Sequence, residues 1–151
     1  MLFFIIFLTL HITKLRIFGN FELILYLIYL MLDLDKVIDY VKGKKQVSEE
    51  QPFGPGNLVY KVCGKMFMLI SLDSIPHSVN LKCEPNLAIE LREKYSFVLP
   101  GYHMNKTHWN TIKFENGLDY KFLFNQIDNS YNLVVNSLSK KLKEELLNGN
   151  D

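Results

Sequence analysis

The segment from Pro100 to Ile112, PGYHMNKTHWNTI, concentrates side chains that can bind an anion or a nucleic acid. It contains two histidines, two asparagines, one lysine and the only tryptophan of the chain. Ammonium and imidazole groups bind phosphates, and the face of an indole ring can stack on a base with a gain of ~1–3 kcal/mol. The candidate nucleic-acid contacts in this segment are His103, Asn105, Lys106, His108 and Trp109.

The same side chains could instead serve the structure of the segment. Asparagine and histidine side chains in tight turns commonly bond to nearby backbone groups. A tryptophan at the start of a strand commonly packs in the core or beside it. The sequence leaves both roles open.

Three further lysines extend the candidate surface. Lys61 and Lys65 flank the tip of a predicted β-hairpin, and Lys82 lies on the strand that follows; at such positions ammonium groups can hold phosphates. The chain as a whole attracts no polyanion, because 17 Lys and Arg residues balance 16 Asp and Glu residues. A nucleic-acid site must therefore be a local patch, and a solvated surface without a ligand is the alternative.

Other chemistries find little support in the sequence. His103 and His108 suggest a metal, but no third ligand follows at a recognised spacing. Cys63 and Cys83 belong to no CxxC or paired-histidine motif, so neither a zinc signature nor a disulfide framework is present. The motifs G-x-S-x-G, H-E-x-x-H and the P-loop are also missing. We therefore expect a non-enzymatic protein of the reducing cytoplasm that uses no metal or cofactor.

Local signals predict the elements that position these residues. Apolar side chains recur at helical spacing in LDLDKVIDYVKG, which predicts a first helix. The loop QPFGPGN leads into two β-rich runs separated by Cys63 and Gly64, a pattern typical of a β-hairpin. Pro85 suits the first turn of a second helix. Asp119 can cap a long final helix that continues through Leu138.

These signals predict a single α+β domain with the order α-β-β-β-α-β-β-α and a mainly antiparallel sheet packed by helices. In the third strand, SVNLKC, two apolar residues alternate with Asn80 and Lys82. We therefore expect Asn80 and Lys82 to face outward together. The domain is expected to occupy residues 31–151.

Residues 1–30 form a hydrophobic extension of different composition. The runs MLFFIIFLTL and FELILYLIYLML are shorter than the ~20 residues of a spanning helix, and Lys14 and Arg16 separate them. The positive charges follow the first run and no A-x-A site is present, which disfavours a secretory signal. A translated leader with the functional start at Met31 is the favoured interpretation, and a membrane-surface anchor is the alternative.

Four stretches of the chain resemble successive motifs of the MmcQ/YjbR family. They occur in the family's order between about Val47 and Lys143, and PGYHMNK-x-HWNT is the most specific of them. The stretches are PFGPGNLVYKVCGKMFMLISLD, NLKCEPNLAIELREKY, LPGYHMNKTHWNTI and SYNLVVNSLSKK. The resemblance implies a fold like that of the type III secretion chaperones and a DNA-binding role with a double-wing arrangement.

The resemblance and the candidate residues together predict a small DNA-binding protein that uses its basic hairpin tip and the loop PGYHMNKTHWNT. The alternative is a module that binds a protein or a small ligand with its sheet and helix surfaces. In that case Met66, Phe67 and Met68 would line an adaptable apolar surface, unless they alternate between core and solvent. DNA or a protein is thus the expected partner. A membrane is a partner only if residues 1–30 are retained.

Overall fold

The computed structural model describes residues 34–115 and 118–148. The hydrophobic extension predicted for residues 1–30 lies outside these ranges, so the choice between a leader and an anchor stays a prediction. Within the described ranges, no helix has the length and apolar character needed to cross a membrane.

Four helices and six strands occupy the described residues. They are α1 (34–42), β1 (Val47–Glu50), β2 (Asn57–Val62), β3 (Lys65–Ser71), β4 (Ser78–Lys82), α2 (Pro85–Lys94), β5 (Val98–Pro100), β6 (Trp109–Lys113), α3 (Tyr120–Asn136) and α4 (Lys140–Asn148). The strands form one antiparallel sheet in the order β1-β2-β3-β4-β6-β5. The predicted α+β class with an antiparallel sheet is confirmed.

Two elements differ from the predicted order. Strand β1 has the sequence VSEE, which lacks the apolar alternation of a strand, and it forms because it pairs with β2. The predicted long helix, α3, ends at Asn136, two residues earlier than expected, and the further helix α4 follows it. There the Ser137 hydroxyl donates to the Val134 carbonyl at 2.7 Å, a local bond that competes with helix continuation. Leu138 therefore lies in the connection before α4 and is buried.

The sheet has two different faces, which we call the core face and the second face. All four helices contribute to the hydrophobic cluster on the core face, with Leu34, Ala88, Leu123 and Leu146 as examples. Helix α3 packs on β2, β3 and β4, and α2 packs beside β5. The second face carries a row of residues in register across five strands. They are Val59, Leu69, Asn80, Thr111 and Leu99.

The structure corrects one expectation for β4. Asn80 lies on the second face, opposite the core, as the alternation predicts, but its side chain does not face solvent. It is only 4% exposed, and its Oδ1 accepts a hydrogen bond from the Thr111 hydroxyl at 2.6 Å. A buried amide needs such a partner, because an unsatisfied polar group away from water is costly.

A helix residue completes the sheet where β3 and β4 separate. The register of β2 and β3 shifts after Tyr60, and the pairing of β3 with β4 ends at Met68 and Leu81, one position short of Phe67 and Lys82. The buried Ser130 hydroxyl of α3 lies between them, accepting from the Lys82 backbone N–H at 2.8 Å and donating to the Phe67 carbonyl at 2.5 Å. One side chain thus replaces a missing backbone hydrogen bond.

Candidate nucleic-acid interface

The connection between β5 and β6, which we call the signature loop (residues 101–108), is fixed at its first residues. The Gly101 N–H donates to the Trp109 carbonyl at 2.9 Å, and the Tyr102 N–H donates to the Thr111 hydroxyl at 2.9 Å. A Cβ on Gly101 would lie 2.7 Å from the Trp109 Cβ and 3.0 Å from the Met104 Cβ. The close approach of these two chain segments therefore requires glycine.

Arg92 of α2 holds the other end of the signature loop. Its Nε donates to Asn110 Oδ1 at 2.6 Å, and its Nη2 donates to the carbonyls of Trp109, at 3.1 Å, and of Lys106. The buried Asn110 side chain also donates to the Ala88 carbonyl at 3.3 Å. The planar guanidinium suits this task because it places several donors in one rigid fork. Helix, loop and strand are thereby joined in one hydrogen-bonded unit.

Asn105 shapes the turn of the loop. Its Oδ1 accepts from the Thr107 N–H at 2.9 Å, and its carbonyl accepts from the His108 N–H at 3.1 Å. The first bond is the local side-chain turn that asparagine commonly forms. The His108 carbonyl in turn accepts from the Cys83 N–H at 2.8 Å, which ties the loop to the end of β4.

Four aromatic or basic side chains of the loop project from this fixed backbone into solvent. Tyr102 is 68% exposed, and His103, Lys106 and His108 are also exposed. The rings of Tyr102 and His103 are in contact, with centroids 4.1 Å apart and a tilt of 58°. His103 has a φ of 54°, a left-handed conformation that is uncommon outside glycine. No described residue pairs with the ammonium group of Lys106.

Trp109 differs from these four side chains. It is only 6% exposed, and the Lys82 Nζ lies 5.6 Å from the centroid of its ring. The two residues are paired in register on the second face, which permits a cation–π contact. Because the indole is almost fully buried, it offers no open face on which a base could stack.

Lys61 and Lys65 are directed to opposite faces of the sheet. Lys61 lies on the second face and forms an ion pair with Glu50 at 2.5 Å. Lys65 reaches the core-face side, where its Nζ donates to the Ser137 carbonyl at 3.3 Å, just after α3. The hairpin tip therefore presents no pair of free ammonium groups in this conformation.

The charged residues in the sequence around the loop are all basic. The span 94–114 contains three lysines and two histidines and no aspartate or glutamate. Lys82, on the neighbouring strand, adds a further positive charge to the same end of the sheet. A local positive potential is expected here although the whole chain is nearly neutral.

Metal binding and a reactive thiol were the two other chemistries considered for the candidate residues. Among residues 34–115 and 118–148, no group of three or more His, Cys, Asp or Glu side chains is arranged to hold a metal ion. Burial raises the pKa of the Cys83 thiol, and the nearby Glu84 carboxylate acts in the same direction. Such a thiol stays protonated and is a poor nucleophile.

Arg92 is a residue of the candidate site that the sequence did not reveal. It stands among several charged residues of an amphipathic helix, where an exposed cation is the ordinary interpretation. Only the folded chain shows that it contacts a loop 14 to 18 residues further along. Tyr102 is a second such residue, since no local signal in the sequence marks its ring as exposed.

Comparison with solved structures shows the class of fold to which this arrangement belongs. A crystal structure of the Deinococcus radiodurans protein DR2400, with the domain DUF419, matches with a TM-score of 0.70 and 28% identity, covering 75% of this chain and 86% of that one. A crystal structure of a Pseudomonas syringae protein matches with a TM-score of 0.58 and 26% identity, covering 66% of this chain and 96% of that one.

Sequence comparison then defines the family. Residues 42–133 match the model of the YjbR family, and the chain belongs to that family. The uncharacterized protein YbdF of Escherichia coli O157:H7 is 41% identical over 91 residues, 60% of this chain and 74% of the relative. The uncharacterized protein YjbR of Escherichia coli K12 is 32% identical over 87 residues, 58% of this chain and 74% of the relative. The predicted family membership is confirmed.

Proposed function

We propose that this protein is a non-enzymatic nucleic-acid-binding module whose contact surface is the signature loop and the adjoining end of β4. The observation that carries the proposal is the set of exposed aromatic and basic side chains on a loop whose backbone is held by Arg92, Asn105 and Thr111. A fixed loop loses little conformational entropy when it binds a ligand.

Phosphate binding is assigned chiefly to Lys106. Its ammonium group is exposed and unpaired among the described residues, and no carboxylate within the span 94–114 competes for it. His103 and His108 add exposed ring nitrogens on either side of Lys106 in the same loop. Lys82 supports the site from the neighbouring strand, where it can move from the Trp109 ring to a phosphate.

The remaining candidates have secondary roles in this proposal. Lys61 would exchange Glu50 for a phosphate, and Lys65 would give up its bond to the Ser137 carbonyl. A double-wing contact through the hairpin would need both exchanges. Asn105 and Trp109 would act on the shape of the loop rather than on the nucleic acid.

Fluorescence anisotropy of the full chain with labelled DNA, measured over a series of salt concentrations, tests the proposal. Each phosphate contact contributes about −0.9 to the slope of log K against log salt on duplex DNA. Lys106→Ala should therefore weaken binding and make the slope shallower by about 0.9. The matched control is the double variant Lys140→Ala/Lys141→Ala, which removes two exposed lysines of α4.

Two results would contradict the proposal. The first is an absence of binding at low salt. The second is an equal loss of affinity in Lys106→Ala and in the control variant, since that would indicate a diffuse electrostatic attraction without a site at the loop.

A protein partner is the second candidate function, at the opposite end of the sheet. Met66–Met68 cannot supply the apolar surface, because Phe67 and Met68 are fully buried in the core. Phe53 and Ile75 are instead exposed on two neighbouring loops, which are joined by the Leu72 N–H and the Gly56 carbonyl at 2.8 Å. A stoichiometric partner that binds the wild type at high salt but not Phe53→Ser/Ile75→Ser would favour this function.

A further inference from the structure

We infer that the signature loop selects single-stranded nucleic acid by stacking one unpaired base on Tyr102. This inference rests on the proposed function and names the class of ligand that the same site takes. In a duplex the faces of the bases are covered by their neighbours, so only an unpaired base can lie on an aromatic side chain.

Tyr102 is the exposed ring that the site offers. Its exposed fraction is 68%, whereas Trp109, the larger ring of the same segment, is 6% exposed. Phe53 is similarly exposed at 64%, but it belongs to the loop between β1 and β2, at the other end of the sheet. Within the described residues, the cationic end of the sheet thus places an open aromatic ring in the same loop as the free ammonium of Lys106.

The Tyr102 ring stands on a rigid base. Its backbone N–H donates to the Thr111 hydroxyl, and that buried hydroxyl donates to the buried Asn80 Oδ1 at 2.6 Å. This chain of hydrogen bonds links the loop to the centre of the second face. Satisfied buried networks of this kind hold one conformation, so stacking on the ring requires little further ordering.

His103 supports the ring from one side. Its left-handed φ of 54° brings the imidazole within 4.1 Å of the phenol ring, measured between centroids. A non-glycine residue in this conformation carries a cost in backbone strain, and such costs are concentrated at functional sites. With one side of the Tyr102 ring in contact with His103, the base is expected to stack on the other.

Stacking and charge predict different effects on the two forms of DNA. The ammonium of Lys106 meets phosphates in both forms, so its contribution does not discriminate between them. The base–aromatic contact exists only with the single strand and is insensitive to base identity, because every base has a π face. A preference for single strands with little sequence preference is therefore expected.

The test compares oligothymidylate with a duplex of the same length, using the full chain and fluorescence anisotropy at one low salt concentration. Tyr102→Ala should weaken oligothymidylate binding by about 5- to 150-fold, the range that base stacking supplies, and should leave duplex binding unchanged. Tyr102→Phe keeps the ring and should bind like the wild type. Phe53→Ala removes an equally exposed ring far from the site and is the matched control.

The outcomes separate this inference from the proposed function. If Tyr102→Ala binds oligothymidylate like Phe53→Ala, or if the wild type binds the duplex as tightly as the single strand, the stacking inference is overturned. The proposed function would survive that result if Lys106→Ala still weakened the binding of both single-stranded and duplex DNA. If neither form binds the wild type, both proposals fail.

Discussion

Replacing Ser130 by alanine removes the hydroxyl that joins β3 to β4, and its effect can be worked out from the structure. The hydroxyl satisfies the Lys82 N–H and the Phe67 carbonyl, at 2.8 and 2.5 Å, and Ser130 itself is fully buried. Alanine leaves a donor and an acceptor without partners. The space of one hydroxyl oxygen is too small for a water molecule with its own hydrogen bonds to replace it.

The expected loss of stability is about 1.5–5.5 kcal/mol, from two orphaned groups and one helix-propensity gain. Each orphaned buried group costs about 1–3 kcal/mol. Alanine returns roughly 0.5 kcal/mol, because it is the better helix former within α3. With a urea m-value of about 2 kcal/mol per molar, the middle of the usual range, the unfolding midpoint should fall by about 1–3 M.

Urea unfolding and amide hydrogen exchange of Ser130→Ala measure this effect, with Asn129→Ala as the control on the exposed side of the same helical turn. The Lys82 amide should lose its protection in Ser130→Ala, while the control should leave the unfolding midpoint nearly unchanged. An unchanged midpoint together with a still protected Lys82 amide would refute the assignment of the Ser130 hydroxyl as the link between the strands.

Two further predictions concern a buried histidine and a crowded glycine. Burial lowers the pKa of His77, and the neighbouring backbone of Ser74 and Ser71 offsets only part of this. The unfolded chain therefore binds a proton more readily than the folded chain, and stability should fall as the pH drops below ~6.5. His77→Gln should flatten that dependence in urea unfolding near pH 5.5 and 7.5, and an unchanged slope would contradict the pKa argument. Gly101→Ala should cost about 1–3 kcal/mol by overpacking. Gly43→Ala, where a Cβ meets only ordinary contacts at 3.6 Å, is its control, and equal midpoints for the two variants would contradict the steric argument.

The features that the sequence predicted correctly depend on neighbours in the chain. Cys63 and Gly64 have φ values of 47° and 75°, as a two-residue hairpin turn requires. Pro85 opens α2, and the Asp119 side chain accepts from the Lys121 N–H at 2.9 Å to cap α3. Residue type and spacing decide these contacts, so a single sequence suffices.

The features that were missed depend on contacts between distant residues. Arg92 and Ser130 are an unremarkable helical cation and a helical serine until the fold brings Asn110, Phe67 and Lys82 beside them. No local sequence pattern predicts these hydrogen bonds, because each partner lies 18 to 63 residues away along the chain. The exposures of Tyr102 and Trp109 were unpredictable for the same reason, since local spacing does not determine which of the two rings is buried.

The two edge strands of the sheet also determine whether copies of this chain can pair strand to strand. Strand β1 has four residues and ends in Glu49 and Glu50, and β5 has three and ends in Pro100, which has no N–H to donate. Short, acidic or proline-containing borders are poor templates for pairing with another chain. Another chain is therefore not expected to add a strand to either edge of the described sheet. Concentrated protein should accordingly resist fibrous aggregation through these two edges.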